Sequence, residues 1–252
     1  MSFQFSIVII CKDEAGHIGQ TLRSIHSLSD DIIAYDTGST DGTIEVLEKF
    51  PVRFHHGPWE GFGKARQKAV QFSRYDWVFI IDADEIVTNA LAEELKQLKL
   101  EDEKIVFRIL LQNHLGSRHI KWGIWGNDFR IRLYNKKIVG WNELIVHEEL
   151  IIPGHITVKK LNNPILHFTA EDISELTFKM HHYALLTAEQ YYLNGKRARW
   201  IKRIFGPLFA FIKSYFLKYG FLDGKSGFDI ARIIAGYTFL KYKRLHELWR
   251  NK

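Results

Sequence analysis

Apolar and polar positions along the first third of the chain fall into blocks that switch between two periods. Residues 5–10 form a short β-rich apolar run, then comes the polar stretch Cys11-Lys12-Asp13-Glu14-Ala15-Gly16, and Ile18, Leu22 and Ile25 follow at helical spacing. Residues 31–35 predict a second strand, a tight polar turn runs from Asp36 to Thr43, and Ile44 and Leu47 start a second helix. Residues 52–55 predict a third strand, 62–72 a helix with Ala65, Ala69 and Phe72 inward, and 76–81 a fourth strand. Strands alternating with helices predict an α/β fold, a Rossmann-like, mostly parallel sheet flanked by helices. In such a sheet ligands gather at the carboxyl ends of the strands.

The fourth apolar run stops on three acids in Asp82-Ala83-Asp84-Glu85. If the chain stays extended, Asp82 and Asp84 point one way and Glu85 the other. Two hard oxygen donors on one side suit Mg2+ or Mn2+ carrying a nucleotide diphosphate. A plainer reading of the same stretch is a helix start, with Thr88 or Asn89 as cap and Leu91, Leu95 and Leu98 buried. Asp36 ends strand two as Asp82 ends strand four, so both carboxylates approach one crevice, where they can accept from ribose hydroxyls or a base N–H. Asp41-Gly42 reads equally well as turn chemistry.

Residues 105–111 predict a fifth strand, after which regularity ends: 112–127 is an irregular stretch rich in His, Trp and Gly, of the kind that is functional or mobile. Residues 129–134 predict a strand with Arg130 and Arg132 on one face. A short strand at 144–146 leads into His147-Glu148-Glu149, a second polar group at a strand end, although His147 is equally readable as a structural imidazole. Residues 156–158 and 165–168 close the sheet. From Glu171 the pattern is helical, with Ile173, Leu176, Met180 and Tyr183 on one face, as far as Asn194-Gly195. A basic amphipathic segment covers 200–218, and another helix runs from Phe228 to about Trp249. This divides the chain into a catalytic domain over 1–170 and a helical extension over 171–252.

Composition narrows the class. With 46% hydrophobic and 25% charged residues and no internal repeat, disordered and solenoid classes are excluded. The single cysteine, Cys11, has no partner within the chain and sits in an apolar strand, which fits core packing and a reducing compartment. Residues 5–10 lack the cationic flank and cleavage site of a signal peptide, so a cytoplasmic protein is expected. The net charge of +6 is unevenly spread: residues 196–252 hold 14 Lys/Arg and 3 Asp/Glu, which leaves the remainder acidic. A basic, aromatic-rich tail on an acidic body predicts contact with an anionic surface, a membrane before a nucleic acid. The longest uncharged run of the tail, 204–212, is far short of the roughly 20 residues that span a bilayer, so it would lie on the surface.

Taken together, these motifs resemble the inverting family 2 glycosyltransferases of the GT-A fold over about the first 170 residues. Ile10-Cys11-Lys12-Asp13-Glu14 is similar to the family's nucleotide-contacting loop, and Asp36-Thr37-Gly38-Ser39-Thr40-Asp41-Gly42-Thr43 resembles its Asp-x-Gly-Ser-x-Asp-Gly-Thr signature. Gly61 to Ala69 resembles Gly-x-x-x-Ala-Arg-Asn-x-Ala, with Gln67 where Asn is usual, and Asp82-Ala83-Asp84 its Asp-x-Asp. The stretch from Trp125 to Tyr134, followed by Val146-His147-Glu148, is similar to the branch that includes lipopolysaccharide core β-glucosyltransferases.

The resemblance implies a UDP-sugar donor bound by Cys11, Asp13, Glu14, Asp36, Lys64, Arg66, Asp82 and Ala83, with a metal at Asp84 and Asp82. It also implies Glu148 as catalytic base, with His147 as its understudy or a metal ligand, and contacts to acceptor or diphosphate from Trp125, Asp128, Arg130 and Arg132. The implied acceptor is a glycan or glycolipid. Two other readings remain at this point. Haloacid-dehalogenase-like phosphatases also use Asp-x-Asp at a strand end, but after the first strand and with Thr or Val where Ile86 stands here. A binding module that kept the fold and lost turnover would have no need of Asp82, Asp84 and Glu148.

Overall fold

The computed structural model describes residues 5–146, 148–198 and 200–251. The expected alternation is present in β1 (Ser6–Cys11), α1 (Ile18–Ile25), β2 (Ile32–Asp36), α2 (Thr43–Leu47), β3 (Arg53–His56), α3 (Phe62–Gln71) and β4 (Trp77–Asp82). It continues through β5 (Glu85–Val87), α4 (Asn89–Gln97), β6 (Ile105–Leu115), β7 (Arg118–His119), β8 (Asp128–Asn135), β9 (Gly140–Trp141) and β10 (Leu150–Ile151). The chain closes with β11 (Thr157–Lys160), β12 (Ile165–Ala170), α5 (Ile173–Leu193), α6 (Trp200–Ile212) and α7 (Gly224–Arg250). The strand order is β3-β2-β1-β4-β8-β6-β12-β5, parallel from β3 through β4, with β8 antiparallel to β4 and β12 antiparallel to β5.

Side-chain parity divides the core between the two faces of this sheet. Ile7, Ile9, Phe79 and Ile81 pack on one face with Ile18, Leu22 and Ile25 of α1, Leu47 of α2, and Leu91 and Leu95 of α4. Val8, Ile33, Val78 and Ile80 pack on the other with Ala65, Ala69 and Val70 of α3. Both faces are covered, which is why β1, β2 and β4 read as continuous apolar runs rather than alternating ones.

Several expected boundaries move. Phe72 lies beyond α3 and is exposed, its ring stacked on His55 with centroids 3.7 Å apart. β6 runs on to Leu115 and folds back through β7, pairing His114 with His119, so the irregular stretch begins later than its composition suggests. Residues 144–146 form no strand. The pairing there is a small ribbon of β9 and β10, Trp141 opposite Leu150, and the Leu144 carbonyl accepts instead from the N–H of Gly63 at the start of α3.

The described residues divide into two compact units. The first takes those within Met1–Leu111, Phe129–Leu144 and Glu148–His167, and the second those within Gln112–Asp128, Ile145–His147 and Phe168–Lys252. In the second unit a small core of Ile120, Ala170, Leu176, Ile230 and Ile233 joins the irregular stretch to α5 and α7. The buried Asp223 carboxylate accepts from the N–H groups of Lys121 and Trp122, and Arg118 donates to the Asp223 carbonyl at 2.6 Å.

Candidate active site

Three parallel strands end level with one another, since Cys11 pairs with Asp36 and Ile10 with Asp82. Their following loops therefore open at one edge of the sheet, and the first two are laced together. The Asp13 N–H donates to Ser39 Oγ at 2.9 Å, and the Asp13 carboxylate accepts from Thr40 N at 2.7 Å. Glu14 N–H donates to Thr43 Oγ1 and Ala15 N–H to the Asp41 carboxylate. Asp41 also accepts from Thr43 N, so it combines the turn chemistry read from the sequence with a tie to the loop after β1.

Asp36 is buried and accepts from Gly38 N at 3.0 Å, Ser39 N at 3.2 Å and Ser39 Oγ at 2.5 Å, with His56 Nδ1 at 3.2 Å. Burial alone would raise its pKa, but these donors hold it below the usual carboxylate range. The Cys11 side chain is placed differently from the nucleotide-contacting role expected of it. It lies in the core, 3.8 Å from the Tyr35 carbonyl, and burial with Asp36 beside it pushes the thiol up. Ala83 is buried too, and its carbonyl accepts from Thr21 Oγ1 at 2.7 Å.

At the end of β4 the chain turns rather than staying extended, and this overturns the expected orientation of Glu85. With residues 83–84 in a turn, Glu85 swings back so that its carboxylate accepts the Asp82 N–H at 2.9 Å. The plainer reading of this stretch holds, because Thr88 caps α4 by accepting from Leu91 N, with Leu91 and Leu95 buried.

Asp82 lies between two guanidinium groups. Arg66 Nη2 reaches Oδ1 at 2.6 Å and Arg132 Nη2 reaches Oδ2 at 2.9 Å, while Arg132 also pairs with Glu85. Burial opposes ionisation of Asp82, yet Arg132 and Arg66 together keep it charged well below the usual range. Glu85 has Arg132 against it, but burial prevails and pushes it up to about 7.

Arg66 continues the chain of contacts, with Nη1 3.2 Å from Glu148 Oε1 and its guanidinium 4.9 Å from the centre of the Trp141 ring. Gln67 accepts the backbone N–H of Trp141 at 3.0 Å, which gives the variant position in the motif a structural part, and the indole N–H of Trp141 donates to Tyr134 Oη at 2.7 Å. Glu148 is half-buried beside Arg66, whereas Glu149 is exposed and engages the fold through its carbonyl, 3.0 Å from Asn142 N. Gly63 lies so close to this segment that a Cβ there would overlap the Asn142 carbonyl oxygen.

Asp84, next but one to Asp82, lies 3.4 Å from His167 Nε2 through Oδ2. Burial lowers the imidazole's affinity for a proton, but Asp84 more than compensates, and His167 is raised from 6.5 to about 9. Sequence reasoning missed His167. The available signal was a lone imidazole on the inward face of the 165–168 run, two residues after the buried Ile165. His147, the imidazole that was singled out, lies outside the described residues.

Among the described residues no group of three or more His, Cys, Asp or Glu is arranged to hold a metal ion. A carboxylate oxygen and an imidazole nitrogen 3.4 Å apart fit a cation that displaces the imidazole proton and takes its other donors from water and a diphosphate, as Mg2+ and Mn2+ do. Lys64 is 3.8 Å from Glu143 at the surface. Of the four residues expected at the acceptor or diphosphate, the buried Arg132 joins the Asp82 cluster and Arg130 is exposed. Trp125 belongs to the second unit, where its carbonyl accepts from Asn113 Nδ2 at 3.0 Å, and Asp128 opens β8.

Comparison with known proteins agrees with this geometry. A family model described as Glycosyl transferase family 2 matches residues 6–149, from the first residue of β1 through Glu148 and Glu149. The lipopolysaccharide core biosynthesis glycosyltransferase LpsC of Rhizobium meliloti is 31% identical over 96% of this chain and 92% of its own length. An uncharacterized glycosyltransferase of Rickettsia bellii is 27% identical over 97% of this chain and 87% of its own. Among solved structures, S. aureus TarS matches with a TM-score of 0.51 at 12% identity, covering 97% of this chain and 55% of TarS, a likeness of fold. The chain belongs to glycosyltransferase family 2. It is therefore a glycosyltransferase with a mixed α/β, GT-A-like fold, and the phosphatase and binding-module readings fall away.

Proposed function

We propose that the protein transfers a hexose, glucose by best resemblance, from a UDP-sugar to a lipopolysaccharide core or other glycolipid acceptor, in a single inverting displacement assisted by a divalent cation. The observation that carries this reading is Arg66, which bridges Asp82 of the Asp-x-Asp turn and Glu148. One buried guanidinium thereby ties the donor side of the site to its candidate base. The acceptor class follows the description of LpsC, and a UDP-linked donor agrees with a TarS structure of TM-score 0.50 in complex with UDP-GlcNAc.

In the proposed reaction Glu148 takes the proton of the acceptor hydroxyl as the acceptor oxygen bonds to the anomeric carbon. The bond from that carbon to the diphosphate oxygen breaks, and UDP leaves with the electron pair. Asp84 and His167 are the residues that would hold Mg2+ or Mn2+, which when bound offsets the growing charge of the leaving diphosphate. Asp82, its oxygens facing Arg66 and Arg132, orients the ribose side of the donor rather than filling a metal position. Asp36 and the laced loops after β1 and β2 present backbone groups to the uridine.

Because UDP-sugars are cytoplasmic metabolites and a glycolipid acceptor is anchored in a bilayer, we place the enzyme at the cytoplasmic face of the inner membrane. The reading is tested by a donor screen that measures nucleoside diphosphate release across UDP- and GDP-sugars with lipid-linked glycan acceptors. UDP release dependent on the acceptor is expected, and preference for a GDP-sugar would overturn the donor assignment.

A further inference from the structure

The helix α6 in the second unit is arranged the wrong way round for a helix packed within a protein. Its glycine, Gly206, faces α7. A Cβ on Gly206 would meet the side chains of Thr238 and Tyr242 of α7 at 3.4 Å, and the nearby Phe211 meets Phe228 with ring centroids 5.8 Å apart. The other large apolar residues turn outward instead. Ile204 and Phe209 are 62% and 60% exposed, Phe205 and Leu208 lie between them, and no residue of α6 is buried. The apolar surface continues past the helix through Phe216 and Leu217. A contiguous patch of this kind marks an interaction surface.

Charge identifies the occupant. From Trp200 to Leu222 the chain carries Lys202, Arg203, Lys213 and Lys218 and no acidic residue. A second copy docked face to face would set these cations against their own kind with no carboxylate on the patch to pair them, which is unfavourable. An anionic bilayer satisfies both features, since the apolar side chains enter the acyl boundary and the cations meet lipid phosphates. Crossing is ruled out for this helix: its 13 residues span about 20 Å against a hydrocarbon core of about 30 Å. Among the described residues no helix is long and apolar enough to cross a membrane.

We propose that the outer face of α6, together with residues 213–222, is a membrane-docking surface that lies in the plane of an anionic bilayer. The proposal rests on the membrane location given above and assigns it a surface. The test uses the full chain in sedimentation with vesicles of phosphatidylcholine, with and without phosphatidylglycerol. It compares wild type, Phe205→Ser/Phe209→Ser and Lys202→Glu/Lys213→Glu, with thermal midpoint and UDP affinity measured in parallel. Wild type is expected to bind the anionic vesicles preferentially. Two inserted phenylalanines at about tenfold each predict a roughly hundredfold weaker partition for the serine variant, with midpoint and UDP affinity unchanged. The charge variant is expected to lose its preference for anionic vesicles.

Equal binding by wild type and the serine variant would overturn the surface while leaving the location standing. Failure of the wild type to bind, with acceptor-dependent UDP release intact, would overturn the location as well and leave the glycosyltransferase reading untouched. Loss of a concentration-dependent dimer in the serine variant, without vesicle binding by wild type, would assign the patch to a second copy.

Discussion

Replacing Glu148 by Gln separates a catalytic role from a structural one, because the exchange keeps the shape of the side chain and removes its ability to take a proton. In the structure Arg66 holds Glu148 at 3.2 Å and Asp82 at 2.6 Å. The variant therefore leaves Arg66 with its shorter contact, and an amide oxygen can still accept at the longer one. The stability loss should stay near that of one weakened hydrogen bond, about 1–2 kcal/mol. Turnover should suffer much more. A positioned base contributes ~10²–10⁴-fold, or about 3–5 kcal/mol of barrier. With the uridine placed, as proposed, by the loops after β1 and β2, the affinity for UDP should change by less than about threefold. Glu149→Gln is the control: its side chain is exposed and its structural contact is the carbonyl, so turnover should stay within about twofold. The assay is UDP release under saturating donor with a lipid-linked glycan acceptor, alongside calorimetric titration with UDP. If Glu149→Gln is the damaging change, or if Glu148→Gln keeps its turnover, the assignment of the base is wrong.

Three further outcomes are expected. Gly63→Ala sets a Cβ against the Asn142 carbonyl, so the 142–144 segment must shift: turnover should fall at least about tenfold, with a stability loss of roughly 1–3 kcal/mol by thermal melting. Chelation should abolish UDP release by the wild type, and Mn2+ or Mg2+ should restore it, whereas Asp84→Asn should stay about 10² or more below wild type at any metal concentration. Asp31, fully buried against Ser6, Arg53 and Arg74, has a pKa that burial would raise and these partners lower below 3.8. Its stabilisation is therefore present above 3.8 and lost as pH falls through the lower folded value. Asp31→Asn should lose about 1–3 kcal/mol near neutral pH, discounted because both arginines reach solvent, and denaturant midpoints should begin to converge with wild type only as pH falls below 3.8.

The parts of the fold legible in the sequence are those that period alone encodes. The runs at 7–10, 32–35 and 77–81 are apolar at every position because both faces of β1, β2 and β4 are covered, and Asp36 and Asp82 end the second and third of them. The unread parts depend on contacts between distant residues. Glu85 was assigned the wrong side because a turn at 83–84 breaks the alternation, and what holds it there is Arg132, 47 residues away. The apolar 144–146 looked like a strand, yet its backbone groups are satisfied by Gly63 and by Gln190 Oε1, which accepts the Ile145 N–H at 2.8 Å. His167 went unread because its significance lies in the pairing of β12 with β5, which sets His167 opposite Glu85 and brings it to Asp84.

The same register that divides the core also builds the site, so the two cannot vary independently. Ile7 and Ile9 of β1 go to one face with Phe79 and Ile81 of β4, and Val8 goes to the other with Val78 and Ile80. Sliding β4 by one residue against β1 would send Phe79 and Ile81 towards α3 and exchange them for Val78 and Ile80, a swap that neither tightly packed face can absorb. It would also carry Asp82 off its level opposite Ile10 and away from Arg66 on α3, whose position is fixed by Ala65 and Ala69 packing on the sheet. Packing that selects one register thereby fixes the relative heights of Cys11, Asp36 and Asp82. The short loops that follow then need only local hydrogen bonds, such as Asp13 to Ser39 and Thr40, to complete the edge where a donor would bind.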